Sequence, residues 1–329
     1  MKNFIKKSLI LFFLSILFFC MLIFPKMTVS FASKGLMIWF QTMIPTLLPF
    51  MILSSLLIQL GLHRTICRVV SPLLMPLFRL RPDCIYCIFF GFLCGFPMGA
   101  KIVSELYINS YISKKEAAYL LSFCNNIGPI YFISVVLLGL SIKNYMPFLF
   151  GMYGIPFLYG LVLRYTSYRN LYRESSGEIL SKLPATASYP VRTEKKESMF
   201  LLLDNSIISS LNAITKLGGY MVIFNLCACI PYLFCNQYPF LFSTFNCLLE
   251  ISSGIQYTLH ISLPATHKLL IIFPTLMFGG ISCFAQTSSM IKDTGLSMIS
   301  YIFHKIIQTF FCIIYYILLI LLQQSPVLY

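Results

Sequence analysis

Apolar runs long enough to cross a lipid bilayer follow one another along most of this chain, and short basic loops separate them. A hydrocarbon core of about 30 Å takes about 20 apolar residues per helix. In lipid the backbone must satisfy its own hydrogen bonds, so only helices and closed barrels span it. The runs have helical length. Residues 8–24 form the first, after Lys2, Lys6 and Lys7, and the second covers Leu36–Leu60 with Pro45 and Pro49 inside it. Cys84–Leu106, Glu116–Leu140 and Tyr145–Leu163 follow, then Ser206–Phe234, Pro239–Leu263, Leu269–Ile291 and Ser297–Leu322. Charged residues are 10% of the 329 and hydrophobic ones 58%, against about 25% charged in a soluble domain. A soluble monomer of this composition would expose apolar patches that such proteins avoid. The chain is therefore expected to be an all-α, polytopic membrane protein embedded in the lipid bilayer, and soluble, fibrous and disordered classes are excluded.

The net charge of +14 belongs to the loops. Lys and Arg gather at the N-terminus, in 61–83, at Lys114 and Lys115, and in the hydrophilic segment 164–200. With these on one side, sixteen of the 24 Lys and Arg are cytoplasmic, which is the positive-inside pattern rather than a nucleic-acid surface. A multi-pass protein with a cytoplasmic N-terminus and central linker is expected. Residues 1–35 read as an N-terminal anchor, because the apolar run exceeds the roughly 7–15 residues of a signal core. A cleaved signal peptide is the rival reading, with Ser30-Phe31-Ala32 as its cleavage site. Residues 36–163 form a first membrane half, 164–200 a basic linker, and 201–329 a second half.

Two of the apolar segments are broken by glycine and proline. Gly91, Gly95, Pro97 and Gly99 interrupt 84–106, and Pro274, Gly279 and Gly280 interrupt 269–291. Asn125-Asn126-Ile127-Gly128-Pro129 lies inside 116–140, where Pro129 removes a donor and clashes one turn back. The spans before the two broken segments start on opposite sides of the membrane. Paired broken segments in inverted halves mark the binding site of many transporters. The expected fold is two inverted-topology repeats, each with a re-entrant helical hairpin (84–106 and 269–291) and a broken transmembrane helix (116–140 in the first repeat).

Ionisable and amide groups at this depth are the candidate site residues, since an intramembrane charge is costly and faces a cavity or a partner. Lys101 follows the Gly95–Pro97–Gly99 break and suits a carboxylate ligand beside a helix start; its alternative is an i, i+4 pair with Glu105. Asn125, Asn126 and Gly128 either face a ligand or repair the broken backbone. Glu250 and Glu105 are the candidates to couple or gate transport; the alternative for Glu250 is a pair with Lys216 or His260. Ser282 and Gln286 are the polar groups of the 269–291 segment, with Thr287 and Ser288 beside them. No nucleophile, base and acid stand together, so no enzyme is expected. Cys84 and Cys87 form an isolated C-x-x-C without a second pair or a His, so no metal or cofactor is expected.

Gly95-Phe-Pro-Met-Gly-Ala-Lys101 and Leu120-Leu-Ser-Phe-Cys-Asn-Asn-Ile-Gly-Pro129 resemble motifs of the YlbJ-type sporulation integral membrane proteins. Glu250-Ile-Ser-Ser-Gly254 and Phe278-Gly-Gly-Ile-Ser282 with Gln286 are similar to that family's second pair, in the same order. The resemblance covers most of residues 40–320. It implies a nucleoside-recognition, or gate, domain related to the concentrative nucleoside transporters, whose core is two inverted repeats. It further implies import of a small anionic metabolite, dipicolinic acid, across the outer forespore membrane. Nucleoside transport is the alternative within that class, and a non-transporting role in spore assembly the alternative outside it. The relation also leaves room for a homo-oligomer, because those transporters are trimers.

Overall fold

The computed structural model describes residues 2–171 and 198–322, so residues 172–197 of the expected linker and the last seven residues lie outside the described residues. The described chain is all-helical. Five of its helices are long and apolar enough to cross a membrane: Pro25–Gln59, Met146–Tyr165, Met199–Cys235, Ala265–Met290 and Met298–Leu322.

Proline sets the texture of these spans. Wide π-helical turns at Trp39–Met43 and Phe150–Gly154 stand directly before Pro45 and Pro156, and a third at Phe132–Leu137 follows Pro129. A wider turn accommodates the carbonyl that a proline ring leaves without a donor. Residues 35 and 36, the expected boundary between anchor and first half, fall inside the continuous helix Pro25–Ile38. Gly35 permits this, because it packs directly on the Asn225 side chain and the Met221 carbonyl of the neighbouring long helix.

Between the spans lie two pairs of shorter helices that pack back on themselves. Pro82–Cys94 and Met98–Ile108 make the first hairpin, turning at Gly95–Phe96–Pro97. Pro239–Leu249 and Ile251–His260 make the second, turning at the extended residue Glu250. The second is antiparallel: Gly254 rests on the Cys247 backbone, and the rings of Phe242 and Tyr257 meet at 4.9 Å. The hairpin expected over 269–291 takes a different form. Ala265–Phe278 and Gly280–Met290 form one interrupted span of 26 residues, whose halves do not lie side by side as the hairpin arms do. Gly279 and Gly280 adopt positive φ of 94° and 71° and break the helix without folding it back. The expected broken helix at 116–140 has its break at residues 122–128, between Lys114–Leu121 and the helix resuming at Pro129.

Charged groups fasten the hairpin ends. Ser113 and Glu116 form a capping box, with Ser113 N–H donating to Glu116 at 2.8 Å, and Arg81 grips the same carboxylate through Nε at 3.0 Å. Arg164, assigned to the linker by sequence, is buried and donates to the carbonyls of Phe78 and Arg79 at 2.7 and 3.1 Å. It thereby satisfies the end of helix His63–Phe78. At the start of the first hairpin, Asp83 accepts from His63 at 3.0 Å and from Arg64 Nε at 2.9 Å. Burial opposes its charge, but these two donors outweigh burial and hold the carboxyl below its usual range. A depressed folded value stabilises above the ordinary pKa of about 4 and is lost as pH falls through the lower one. The gap in unfolding temperature between wild type and Asp83→Asn is therefore expected to shrink as pH is lowered below about 4. A gap that stays constant or widens under acid contradicts this account.

Candidate functional site

Four interruptions of the helical backbone meet in the buried middle of the molecule. Gly95, at φ 89° in the first hairpin turn, lies against Gly128 of the first broken helix; a Cβ on Gly95 would stand 2.6 Å from the Gly128 nitrogen. Past that break, the Tyr131 hydroxyl donates to the Ser252 carbonyl in the second hairpin at 3.4 Å. Gly280, in the second broken helix, packs on Ile251 and on the carbonyls of Cys247 and Leu248 at the same hairpin turn. Gly279 faces the Phe96 ring of the first hairpin turn. The four breaks therefore close into a ring of contacts.

The last helix, Met298–Leu322, lines this ring with one face. Tyr301, Lys305, Gln308, Cys312 and Tyr316 are its buried residues, at the three- and four-residue spacing of a single helical stripe. Lys305 is fully buried and donates from Nζ to Asn126 Oδ1 at 2.9 Å. Its ammonium stands 5.0 Å from the centre of the Phe96 ring. Among the described residues no carboxylate lies within salt-bridge distance of it. Asn125 binds on three sides: its Nδ2 donates to Thr287 and Tyr301 at 3.0 Å each, and its Oδ1 accepts from Ala100 N–H at 3.4 Å. Gln308 donates to the freed Ser122 carbonyl at 2.7 Å, and Asn126 Nδ2 to the Phe123 carbonyl at 2.7 Å. The amides thus repair the broken backbone and also hold the two halves of the chain together. A small cavity of about 40 Å³ lies beside Gly95, Phe96 and Gly128, far below the size of a small-molecule site.

The structure brings Gly95, Asn125, Asn126 and Gly128 to this centre, with Pro97 heading the Met98 helix beside them. Gly99 belongs to the same seam, packed on the Cys124 carbonyl. Lys101 does not join: its ammonium pairs with Glu105, which also accepts from Ser55 at 3.3 Å. Glu250 pairs with neither Lys216 nor His260. Its carboxylate caps its own helix, accepting from the N–H groups of Ser252 and Ser253 at 3.2 and 2.8 Å. Ser282 and Gln286 are buried and bond to each other at 3.0 Å; Thr287 is the residue of that helix that reaches Asn125. The histidines, dispersed in sequence, include one that does meet an acid. His63 sits on Asp83, yet the adjacent Cys67 thiol is buried and pushed up to about 12, far from a nucleophile's range.

No family profile matches the chain, and no solved structure matches it. The sporulation integral membrane protein YlbJ of Bacillus subtilis (strain 168) is 24% identical over 320 residues, covering 90% of this chain and 78% of that protein. The chain is similar to a YlbJ-type protein along nearly its whole length. The alignment therefore takes in both hairpins and both broken helices, and the YlbJ-type resemblance of the four motifs is upheld by it. A multi-pass integral membrane protein is what the spans and this similarity support together.

Proposed function

We propose that the protein carries a small anionic solute across a membrane, through a site assembled where the four breaks meet. The observation that carries this reading is Lys305. A charged residue at mid-membrane costs about 2.5–3.5 kcal/mol on insertion scales, and among the described residues no acid lies beside this one. A scaffold has no use for such a cation. A transporter does, because an anion that comes and goes completes its charge. The helix that starts at Met98 adds the positive end of its dipole close by.

The scaffold for this site is two repeats of opposite topology. The first takes Pro25–Gln59, the hairpin Pro82–Ile108, the broken helix 114–139 and Met146–Tyr165. The second takes Met199–Cys235, the hairpin Pro239–His260, the broken helix Ala265–Met290 and Met298–Leu322. Pairing 239–260 with the first hairpin, in place of 269–291, moves Lys292 to the cytoplasmic side and raises the cytoplasmic total to seventeen of the 24 Lys and Arg. That stronger bias supports the frame, as does the matching order of elements in the two halves.

The relative's name places it in sporulation, and the solute we propose is dipicolinic acid, moved across the outer forespore membrane. The test is uptake of labelled dipicolinate into liposomes holding the full chain, with uridine as competitor. Saturable uptake that uridine leaves unchanged is expected. Suppression by uridine moves the reading to a nucleoside, whose base the Phe96 ring and the Asn125 and Asn126 amides would suit. Absence of any flux from folded protein leaves an assembly role as the better account.

A further inference from the structure

A second, separate cavity lies between the Pro25–Ile38 helix and the second hairpin. It encloses about 490 Å³, within the range of small-molecule sites, and shares no lining residue with the central seam. Its mouth is charged and its floor is polar and buried. Lys34 stands exposed at the mouth, 5.3 Å from the centre of the Phe31 ring. Phe31, Tyr232 and Tyr257 supply aromatic walls, with Phe31 and Tyr232 edge-on at 5.5 Å. Asn246 and Ser253 form the floor, next to the Glu250 turn. Asn246 is only 4% exposed, and its Oδ1 has no hydrogen-bond partner in the protein. A buried acceptor left unmatched carries its full desolvation penalty, so a donor is wanted there.

We infer that this cavity is a binding site for a small ring-bearing carboxylate that carries a hydrogen-bond donor at its far end. The carboxylate meets Lys34, the ring lies against Phe31 and the two tyrosines, and the donor reaches Asn246 Oδ1. The site stands on the cavity's own residues and needs no transport to be tested.

The experiment is equilibrium binding of labelled 4-hydroxybenzoate and benzoate to the detergent-purified full chain. Each variant is first shown to be monodisperse, with a wild-type unfolding profile. 4-Hydroxybenzoate is expected to bind at least about 5-fold more tightly than benzoate, the worth of one added neutral hydrogen bond of about 1 kcal/mol. Lys34→Gln, a change at an exposed position, is expected to weaken both probes about 10-fold, while Lys305→Met leaves their binding in place. Three results overturn the inference: no binding of either probe, equal affinity for the two, or binding that follows Lys305 and ignores Lys34. Displacement of the probe by phosphatidylglycerol at equal concentration also overturns it, because the occupant is then a lipid headgroup. A failure of dipicolinate flux with Lys34-dependent probe binding intact refutes the transport reading and leaves this one standing.

Discussion

Lys305→Met is expected to abolish anion uptake, while Lys101→Ala leaves most of it. The two lysines look alike in sequence and differ in what surrounds them. Lys101 already has its counter-charge in Glu105, four residues on along the same helix. Removing it strips a structural pair, so the effect is on stability, and Glu105→Gln as a second change recovers part of the loss. Lys305 is held by an amide oxygen and an aromatic face alone. Truncating one side of a buried, hydrogen-bonded charge pair costs about 2–5 kcal/mol, which is at least about 30-fold in affinity for an anion. Methionine keeps the length of the stem and fills the space, so the fold survives. Initial uptake rates in liposomes check the pair. Uptake that depends on Lys101 and tolerates Lys305→Met removes the central cation from the mechanism.

Most of the architecture was legible because its signals are strong and local. Span-length apolar runs can be little else in a chain with so few charges, and Gly95–Pro97 and Asn125–Pro129 announce their breaks with residues that cannot continue a helix. The second hairpin was harder to place. Its turn is a single extended residue, Glu250, between Leu249 and Ile251, with neither glycine nor proline to mark it. The conspicuous Gly279-Gly280 pair drew the hairpin assignment to itself, yet it only interrupts a helix that runs on. Nor does sequence alone show which lysine has a partner. Glu105 sits four residues from Lys101, whereas no acid stands within four residues of Lys305 on either side. That isolation, inside the most apolar of the candidate spans, marks Lys305 in sequence, but only the fold shows that no acid from another helix comes to it. Glu250 carried the opposite trap: it is an intramembrane acid by position, but its lone pairs are spent on its own helix start.

Gly91→Ala and Gly99→Ala are each expected to destabilise the protein by about 3 kcal/mol or more, the upper end for overpacking a filled core. The two glycines lie on opposite arms of the first hairpin and close on the same atom. A Cβ at Gly91 would stand 2.2 Å from the Cys124 carbonyl oxygen, and one at Gly99 2.4 Å from it. Both distances are far inside contact range, and the obstacle is backbone, which cannot rotate away as a side chain does. Relief requires the arm to withdraw from residues 124–128. That withdrawal pulls Gly95 off Gly128, breaks the Ala100–Asn125 hydrogen bond and carries Phe96 away from Lys305. Stability and the proposed anion site are therefore expected to be lost together. Gly219, on the exposed side of the long helix Met199–Cys227, is the control: nothing lies within 4 Å of a Cβ there. Alanine at that position is expected to stabilise by up to about 1 kcal/mol through helix propensity. Thermal unfolding of the detergent-purified proteins separates the cases, and equal midpoints for Gly91→Ala and Gly219→Ala would refute the close approach. If the hairpin moves during transport, Gly91→Ala has a further signature. An arm already displaced from the Cys124 carbonyl starts nearer the open state, so uptake falls while the first hairpin's three cysteines, Cys84, Cys87 and Cys94, all buried in the wild type, become reactive to a membrane-permeant maleimide.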